Sequence, residues 1–446
     1  MVKRIFIGLV TLAVLGIAGL FVLAWRPAIA PIASPTPSSF AAEQIAKGAV
    51  LAGAGNCASC HSAPGGAPYA GGLGLDSGFG LIYSTNITPD VETGIGNWSQ
   101  AAFIRAMHEG VARDGAQLLP AFPYTHFTRV SDDDLKALYA FLMTQPPVHA
   151  PAKSNTLPFP LNVRALQAGW KLLFFRKGRY EPEPTKSAEW NRGAYLAEGL
   201  GHCAGCHTPR NALGGERSSA AYAGGPIDGW LAPALTAANP APLAWNVEDL
   251  YAYLRNGVSP MHGAAAGSMF DVVHNGLAKL PDDDIRAIAI YFADLNGSAA
   301  AEPKRAETLA QTLALVQRDS DAETDPGARL YQVACSSCHY NDAQLQAARP
   351  ALALSSTLTG PDPANLIRVV LEGIGRDDKM PGVYMPGFAA GLSDADLNAL
   401  ASWLRRSHGM QTPWTNLAAA IPAARKVETT ASSTPVNADT QSKGSP

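Results

Sequence analysis

Charged side chains are scarce in this 446-residue chain, and basic residues nowhere form a block. Lysine and arginine number 34 against 37 aspartate and glutamate residues, which gives a formal net charge of −3. Because nucleic-acid binding needs a basic surface, we exclude nucleic acid as a partner. Hydrophobic residues make up 47% of the chain, so the composition indicates a globular protein rather than a disordered one.

One long apolar run lies near the N-terminus. Residues 5–25 carry no charge, and about 20 apolar residues are enough to cross a bilayer as one helix. Lys3 and Arg4 precede the run, so the positive-inside rule predicts an uncleaved anchor in the inner membrane with the rest of the chain on the periplasmic side. A cleaved signal peptide is the alternative, because the small-residue motif Ala28-Ile29-Ala30 follows.

Cysteine is also scarce, and all six cysteines belong to one repeated motif. The motif is Cys-x-x-Cys-His, and its copies are Cys57-Ala58-Ser59-Cys60-His61, Cys203-Ala204-Gly205-Cys206-His207 and Cys335-Ser336-Ser337-Cys338-His339. Two thiols on one helical turn can add to the vinyl groups of haem, and the adjacent histidine can bind the iron. A redox dithiol or half of a zinc site are the alternatives. Three copies in register predict three covalently bound haems.

Other features repeat in step with these motifs, which predicts three copies of one small helical domain. A short helix precedes each motif, at residues 45–54, 191–199 and 327–333. A second helix ends in Gly-Val or Gly-Ile, at residues 98–111, 245–258 and 363–374. An acidic-capped amphipathic helix closes each copy, starting at Ser131, Pro281 and Ser393, with Ser131–Asp134 and Ser393–Asp396 as expected capping pairs.

These repeats predict the organisation of the whole chain. We expect an anchor at 1–26, a linker at 27–41, haem domains at 42–148, 190–298 and 326–412, an inter-domain segment at 149–189, a linker at 299–325 and a flexible tail at 413–446. The inter-domain segment contains Trp170 in an apolar helical stretch. That stretch is either a helix packed between the first two domains or a surface that docks on a partner or the membrane interface.

Each haem iron needs a sixth ligand, and methionine is the usual partner of histidine in electron-transfer cytochromes. In the third domain Met385 precedes the closing helix, with Met380 as its rival. In the second domain Met269 holds the corresponding place, with Met261 as the alternative. In the first domain the loop carries Phe122, so we predict Met107; Met143, His108 and His126 stay open. The expected iron ligands are therefore His61, Met107, His207, Met269, His339 and Met385.

Residues 40–415 resemble the three-haem cytochrome c subunits of bacterial membrane-bound dehydrogenases. The shared motifs include Ser84-Thr85-Asn86-Ile87-Thr88-Pro89, Trp190-Asn191-Arg192-Gly193, Cys206-His207-Thr208-Pro209-Arg210-Asn211 and Met385-Pro386-Gly387-Phe388. The resemblance implies an all-α fold, with three tandem class I-like cytochrome c domains and an N-terminal transmembrane helix. It also implies electron transport without a substrate-oxidising site in this chain.

Phe122 and Met107 make the chain more similar to one branch of this family. Relatives that serve quinoprotein alcohol or flavin-dependent gluconate dehydrogenases carry methionine where Phe122 stands. The branch paired with molybdenum-containing aldehyde dehydrogenases of acetic acid bacteria has phenylalanine there and methionine at position 107. This similarity implies a large molybdopterin subunit that oxidises aldehydes, a small iron–sulfur subunit and ubiquinone as the electron acceptor.

Three other functions remain as alternatives. The chain could serve an alcohol dehydrogenase with pyrroloquinoline quinone, or a flavin-dependent gluconate, sorbitol or fructose dehydrogenase. It could be a free-standing cytochrome that feeds a terminal oxidase. A haem enzyme such as a peroxidase would need an iron position left open for substrate, and a methionine candidate in every domain argues against that.

Overall fold

The computed structural model describes residues 2–315, 324–339, 351–375 and 385–432. Helices dominate these ranges, as the sequence predicts. In chain order the α-helices are α1 Val2–Ala24, α2 Ala42–Ala54, α3 Cys57–Cys60, α4 Gln100–Glu109, α5 Tyr124–Phe127, α6 Asp132–Met143, α7 Gln167–Phe174, α8 Ala188–Glu198, α9 Ala204–His207, α10 Val247–Asn256, α11 Ser268–Asp271, α12 Asp282–Leu295, α13 Ser298–Ala301, α14 Arg305–Ala314, α15 Pro326–Ala334, α16 Ser356–Thr359, α17 Ala364–Glu372, α18 Asp394–Ser407 and α19 Leu417–Ser432.

In the ranges that the structure describes, three small antiparallel hairpins interrupt the helices, and the sequence did not predict them. Their strands are β1 Gly74–Asp76 with β2 Leu81–Tyr83, β3 Gly225–Ile227 with β4 Trp230–Ala232, and β5 Val258–Ser259 with β6 Gly263–Ala264. The registers pair Leu75 with Ile82 and Pro226 with Leu231. The first two hairpins follow the first two Cys-x-x-Cys-His motifs and occupy equivalent places in two of the predicted domains.

The predicted transmembrane helix is wrong. Within the described ranges no helix combines the length and the apolar character that a bilayer crossing requires. Helix α1 covers much of the segment in question, and its end is tied to the first domain. Gln117 Nε2 donates to the carbonyl oxygen of Ala24 at 2.8 Å, and Arg105 Nη1 donates to that of Pro27 at 2.6 Å.

The described chain forms two compact units. The first consists of residues 2–205, 210–219 and 275–291, and the second of residues 206–209 and 220–274 together with the described residues from 292 to 432. We use the names first, second and third repeat for residues 42–148, 190–298 and 326–412. The second unit holds a core around α17, α18 and α19, with Leu358, Ile367, Leu371 and Leu397 almost fully buried.

A glycine lets two helices cross closely in every repeat. The crossings join α2 to α6, α8 to α12, and α15 to α18. A Cβ atom at the crossing glycine would lie 2.0 Å or closer to a backbone oxygen in the first two repeats and 2.3 Å from one in the third. The pairs are Gly48 with Ala137, Gly193 with Ala287, and Gly327 with Ala399. No side chain fits at such distances, so glycine is required at each crossing.

The closing helices begin at the predicted serine caps. Ser131 accepts a hydrogen bond from the Asp134 N–H at 3.2 Å, and Ser393 accepts one from Asp396. At Ser393 the aspartate also accepts from the serine N–H, which completes a capping box. At Ser131 the Asp134 carboxylate instead meets Lys47 at 2.6 Å and the Tyr195 hydroxyl at 2.5 Å.

Candidate haem sites

The first motif forms one helical turn immediately after α2. Asn56 adopts a left-handed conformation with φ of 47°, which turns the chain from α2 into α3. The Ser59 hydroxyl donates to Asn56 Oδ1 at 2.6 Å, and the His61 N–H donates to the Cys57 carbonyl at 2.9 Å. Side chains three positions apart share a helix face, so this turn presents both thiols together.

The histidine of the first motif is held as an iron ligand requires. His61 Nδ1 lies 2.6 Å from the carbonyl oxygen of Thr85, so Nδ1–H donates and the lone pair of Nε2 stays available. Burial lowers the pKa of the imidazole, and the hydrogen bond to Thr85 opposes this in part. The ring is therefore neutral, which is the form that binds a metal.

The second motif repeats this arrangement. His202, directly before Cys203, has a φ of 35° and starts the turn as Asn56 does. His207 Nδ1 lies 2.7 Å from the carbonyl oxygen of Pro233, and burial lowers the pKa of His207. The sequence motifs did not reveal that the Thr85 and Pro233 carbonyls bind the motif histidines. Thr85 and Pro233 follow His61 and His207 at similar separations in the sequence, and this similarity could have indicated their shared role.

The environment of Tyr69 and Tyr222 shows that these two sites are copies. Each tyrosine has a positive φ and precedes Ala-Gly-Gly, and each N–H is bound by the hydroxyl that follows the motif histidine. The next glycine donates its N–H to the carbonyl of that histidine, at 2.7 Å in the first repeat and 2.8 Å in the second. The tyrosine rings pack edge-on against Phe141 and Phe292 of the closing helices.

The third motif follows α15 directly. The N–H groups of Cys338 and His339 both donate to the Cys335 carbonyl, at 3.1 and 2.9 Å, so the motif again makes one tight turn. The Tyr331 hydroxyl donates to the His339 carbonyl. Residues 340–350, which follow the motif histidine, lie outside the described part of the chain.

The thiol environments of the first and third motifs argue against a redox dithiol. Burial raises the pKa of Cys57 to about 12 and that of Cys335 to about 11, with the paired cysteine adding to each shift. Disulfide exchange needs the thiolate, which burial disfavours at these two positions. Among the described residues, no cluster of three or more histidine, cysteine or acidic side chains could hold a metal ion. Thiol pairs with a neutral imidazole fit covalent haem attachment.

Met385 is fixed by the backbone in the third repeat. It forms an isolated antiparallel bridge with Ile374, whose N–H and carbonyl bind Met385 at 2.9 and 3.0 Å. The turn depends on Gly373, where a Cβ would lie 2.3 Å from the Met385 carbonyl. Met385 also packs against the buried core of the second unit. Its rival Met380 lies outside the described residues, so the choice between them stays a prediction.

The second repeat also has a bridge directly after its glycine, and Met269 lies five residues beyond it, whereas Met385 lies within the bridge of the third repeat. Here β5 pairs with β6, and Val258 is opposite Ala264. Met269 comes five residues after Ala264, in the short helix α11 after Gly267, and is half-buried. A π-helix at Val272–Gly276 follows α11 directly, and such segments are often found at functional sites. Met261 is also half-buried, so Met269 remains a prediction.

In the first repeat the same bridge places phenylalanine where the second repeat has methionine. Val111 pairs with Gln117, and Phe122 comes five residues later, as Met269 does after Ala264. The backbone therefore agrees with the sequence comparison that made Phe122 the equivalent of a ligand. A phenylalanine ring cannot bind iron, so the sixth ligand of the first haem has to be predicted from other residues.

The two candidate histidines of the first repeat have other partners. His126 Nε2 lies 2.9 Å from Glu216 Oε1, and its Nδ1 lies 3.2 Å from the carbonyl oxygen of Glu198. His108 Nε2 lies 2.9 Å from the carbonyl oxygen of Val130. Both nitrogens of the buried His126 ring face oxygens, whereas His108 is bound through Nε2 alone, much as His61 is bound through Nδ1. Met107 therefore stays the prediction, and Met143 and His108 stay open.

Met107 occupies a position that is buried in every repeat. It lies three residues before Gly110, which ends α4, and only 4% of its surface is exposed. The residues three positions before Gly257 and Gly373 are Leu254 and Val370, which are buried as well. The first repeat thus places a sulfur where the others place aliphatic carbon, which favours Met107 as the ligand.

Replacing Met107 by leucine is expected to remove the near-infrared charge-transfer band of one methionine-ligated haem. Leucine fills nearly the same volume, so we expect a stability loss below about 1.5 kcal/mol. The measurement is the absorption spectrum of the oxidised holoprotein together with its haem content.

Met143→Leu is the matched control, because Met143 is also buried, in α6. It should leave the band unchanged. A band that survives Met107→Leu and is lost in Met143→Leu would reverse the assignment.

Covalent haem attachment through Cys-x-x-Cys-His on short helical domains defines a c-type cytochrome. The comparisons agree: the cytochrome c family model matches residues 45–146 and 324–407. The gluconate 2-dehydrogenase cytochrome c subunit of Pantoea cypripedii is 39% identical over 405 residues, covering 86% of this chain and 90% of that protein. The fructose dehydrogenase cytochrome subunit of Gluconobacter japonicus is 36% identical over 396 residues, covering 84% and 81%.

A further relative is longer than this chain. A nicotinate dehydrogenase subunit of Pseudomonas putida is 47% identical over 400 residues, which are 89% of this chain and 33% of that protein. The chain therefore spans about one third of the length of that relative. The chain belongs to the cytochrome c family, in the group of dehydrogenase cytochrome subunits, and it carries covalently bound haem c. The resemblance found in the sequence is confirmed.

Proposed function

We propose that this chain binds three haems and is the electron-transfer subunit of a membrane-associated dehydrogenase complex that reduces ubiquinone. The haems supply one-electron oxidation and reduction when bound. The protein would hold each haem by two thioether sulfurs and one imidazole, and it would provide the sixth ligand that tunes the haem potential. The two cysteines and the histidine of each motif would hold one haem each.

The proposed number of three haems rests on one repeated structural feature. The Cys-x-x-Cys-His turn recurs after α2, α8 and α15, and in each repeat a glycine packs the preceding helix against the closing helix. The second repeat lies outside the regions that the family model matches. Its turn, hairpin, tyrosine and histidine–carbonyl hydrogen bond nevertheless copy those of the first repeat. Equal construction supports an equal cofactor.

The proposed partners are a large molybdopterin subunit and a small iron–sulfur subunit that together oxidise an aldehyde. The first repeat has Phe122 at the position of Met269 and has a methionine at position 107. This combination supports the branch of the family that is paired with molybdenum-containing aldehyde dehydrogenases. Nicotinate is the second candidate substrate, because the relative at 47% identity is named a nicotinate dehydrogenase subunit. Alcohol, gluconate and fructose dehydrogenases are weaker candidates, with relatives at 36 to 39% identity.

We further propose that the haem domains work in the periplasm, beside the inner membrane. Lys3 and Arg4 stand ahead of the apolar stretch in α1, the charge arrangement of segments that direct export. Haem attachment would use all six cysteines, so no free thiol would be left to form a disulfide. The chain is therefore compatible with an oxidising compartment such as the periplasm.

The proposal is tested by purifying the complex through a tag on this chain. We expect three haems per chain, molybdenum and iron–sulfur iron in the co-purified subunits, and reduction of a ubiquinone analogue when an aldehyde is added. Nicotinate oxidation without aldehyde oxidation would select the second candidate. A chain recovered alone, with fewer than three haems or with no quinone reduction by any partner, would contradict the proposal.

A further inference from the structure

The first haem-attachment segment and the residues that lead into the second are packed together inside the first unit. A Cβ atom at Gly55 would lie 3.2 Å from Cys57 Sγ and 3.5 Å from Leu200 Cδ2, so Gly55 is bordered both by the first motif and by a leucine just ahead of the second. Gly53 and Gly276 approach each other equally closely. A Cβ at Gly276 would lie 3.0 Å from the Gly53 carbonyl oxygen and 3.2 Å from Asn56 Oδ1.

His126 forms a further contact between the first two repeats. It belongs to α5 in the first repeat, yet both of its ring nitrogens face oxygens of the second repeat. Its ring centroid is 6.5 Å from that of His202, the residue directly before Cys203, and the Phe127 ring packs edge-on against His202 at 5.7 Å. Only 8% of His126 is exposed, so water cannot easily replace these partners.

The partners of His126 are themselves fixed. Arg129 pairs with the Glu198 carboxylate at 2.8 Å, and the Tyr291 hydroxyl donates to the same carboxylate at 2.8 Å. Burial raises the pKa of Glu216, but the hydrogen bond and charge of His126 and the charge of Arg210 outweigh it, so this pKa is lowered overall. Glu216 is therefore a carboxylate at neutral pH, and it accepts a charge-assisted hydrogen bond from His126.

A second connection lies at the start of α6. The Tyr195 hydroxyl donates to Asp134 at 2.5 Å and accepts from the Ser131 N–H at 3.1 Å. Asp134 also binds Lys47. Because the Asp134 carboxylate binds Tyr195 and Lys47, it does not complete a capping box with Ser131. The same contacts join α8 of the second repeat to α2 and α6, the two crossing helices of the first.

We propose that His126 is a positioning residue that fixes helix α5 of the first repeat against the segment leading into the second haem motif, and so helps to set electron transfer between the first two haems. The proposal rests on the proposed function in requiring a haem at both motifs. Electron transfer between cofactors weakens steeply with their separation, so a rigid contact between the two segments is needed for fast transfer. His126 supplies it through the Glu216 carboxylate and the Glu198 carbonyl.

The test uses the full-length holoprotein with His126→Leu, which removes both hydrogen bonds. After flash reduction of the oxidised protein, we expect equilibration between the haems to slow by roughly tenfold or more, because small displacements of reacting groups have large effects on rate. Haem content and the methionine charge-transfer bands should not change. His126→Gln keeps one amide donor for Glu216 and should recover part of the rate.

His149→Leu is the control, because His149 is an exposed histidine outside this contact, with 59% of its side chain accessible. It should transfer electrons at the wild-type rate. If the His126→Leu protein does not accumulate, the same equilibration rate is measured on Glu216→Gln. This variant keeps the side-chain size and removes the charge that holds His126, so we expect slower electron transfer there as well.

Three results would overturn the positioning role. Wild-type equilibration in His126→Leu or Glu216→Gln would show that the contact does not set the rate. Loss of a low-spin haem signal in His126→Leu would make His126 an iron ligand instead. An equal slowing in His149→Leu would show a nonspecific effect. A wild-type chain with fewer than three haems would contradict the proposed function, which is a separate outcome read from haem content alone.

Discussion

Replacing Cys57 and Cys60 by serine is expected to yield a chain with one haem fewer than the wild type. Hydroxyl groups do not form thioether bonds with haem vinyl groups, and His61 alone cannot retain a haem covalently. The loss should appear in the intact mass of the denatured protein and in the haem-to-protein ratio. The remaining motifs should keep their haems, because each forms its own helical turn after its own helix.

Ala58→Ser is the matched control for the cysteine pair. It adds a hydroxyl group between the two thiols and leaves both of them in place, so the full haem complement is expected. If the double serine variant had the mass of the wild type apart from the two exchanged atoms, covalent attachment at the first motif would be excluded. The same pair of measurements can then be made at Cys203 and Cys206 and at Cys335 and Cys338.

Gly193→Ala is expected to destabilise the holoprotein by about 3 kcal/mol or more, the upper range for overpacking of a fixed core. The new Cβ would lie 1.9 Å from the carbonyl oxygen of Ala287 and 2.5 Å from its carbonyl carbon. Both atoms are backbone of α12, so neither can move without separating α8 from α12. The thermal unfolding midpoint of the holoprotein, followed by circular dichroism, measures the loss.

Gly169→Ala provides the control within another helix. Gly169 lies in α7, and no heavy atom comes within 4 Å of the position where its Cβ would be. Alanine favours helix over glycine by up to about 1 kcal/mol, so this variant should be as stable as the wild type or slightly more stable. Equal midpoints for both variants would show that the crossing of α8 and α12 tolerates a side chain.

The helices were the most predictable part of the fold. Apolar residues at intervals of three and four placed the closing helices, and serine caps placed the starts of two of them. The structure has them at Asp132–Met143, Asp282–Leu295 and Asp394–Ser407. The sequence missed α19, whose Leu417 and Ile421 are buried in the second unit and whose Arg425 binds Asp394 at 2.7 Å. A short alanine-rich segment has too weak a periodic signal to predict such packing.

The inter-domain segment was predicted as a helix without a settled partner. In the structure α7 contacts both of the first two repeats: Lys171 donates to the carbonyl oxygens of Glu109 and Gly110 in the first, and Trp170 donates to that of Leu213 in the second. Burial lowers the pKa of Lys171 to about 7. Leu172 and Leu173 remain largely exposed. Which face of such a helix is buried depends on distant residues, so composition alone left both interpretations open.

The predicted linker after the first helix shows the same limit. Its proline and alanine content indicated a loose spacer, but Ile29 and Ile32 donate backbone hydrogen bonds to the first repeat, at 2.8 and 3.0 Å. Gly115 makes room for this segment, since a Cβ there would lie 2.2 Å from the Arg26 carbonyl. A proline-rich composition predicts an extended chain. It does not predict which groups bind the backbone of that chain, because this depends on the tertiary structure.

The sequence by itself determined the cofactor and its attachment, because thioether formation and histidine ligation depend on residues within one helical turn. It also determined the repeat, since equal motifs impose equal local geometry. The tertiary structure decided what completes each site. The carbonyls of Thr85 and Pro233 orient His61 and His207 from more than twenty residues away, and Glu216 binds His126 from ninety residues away. Hydrogen bonds between distant segments form only when packing brings those segments together, and no local pattern encodes that.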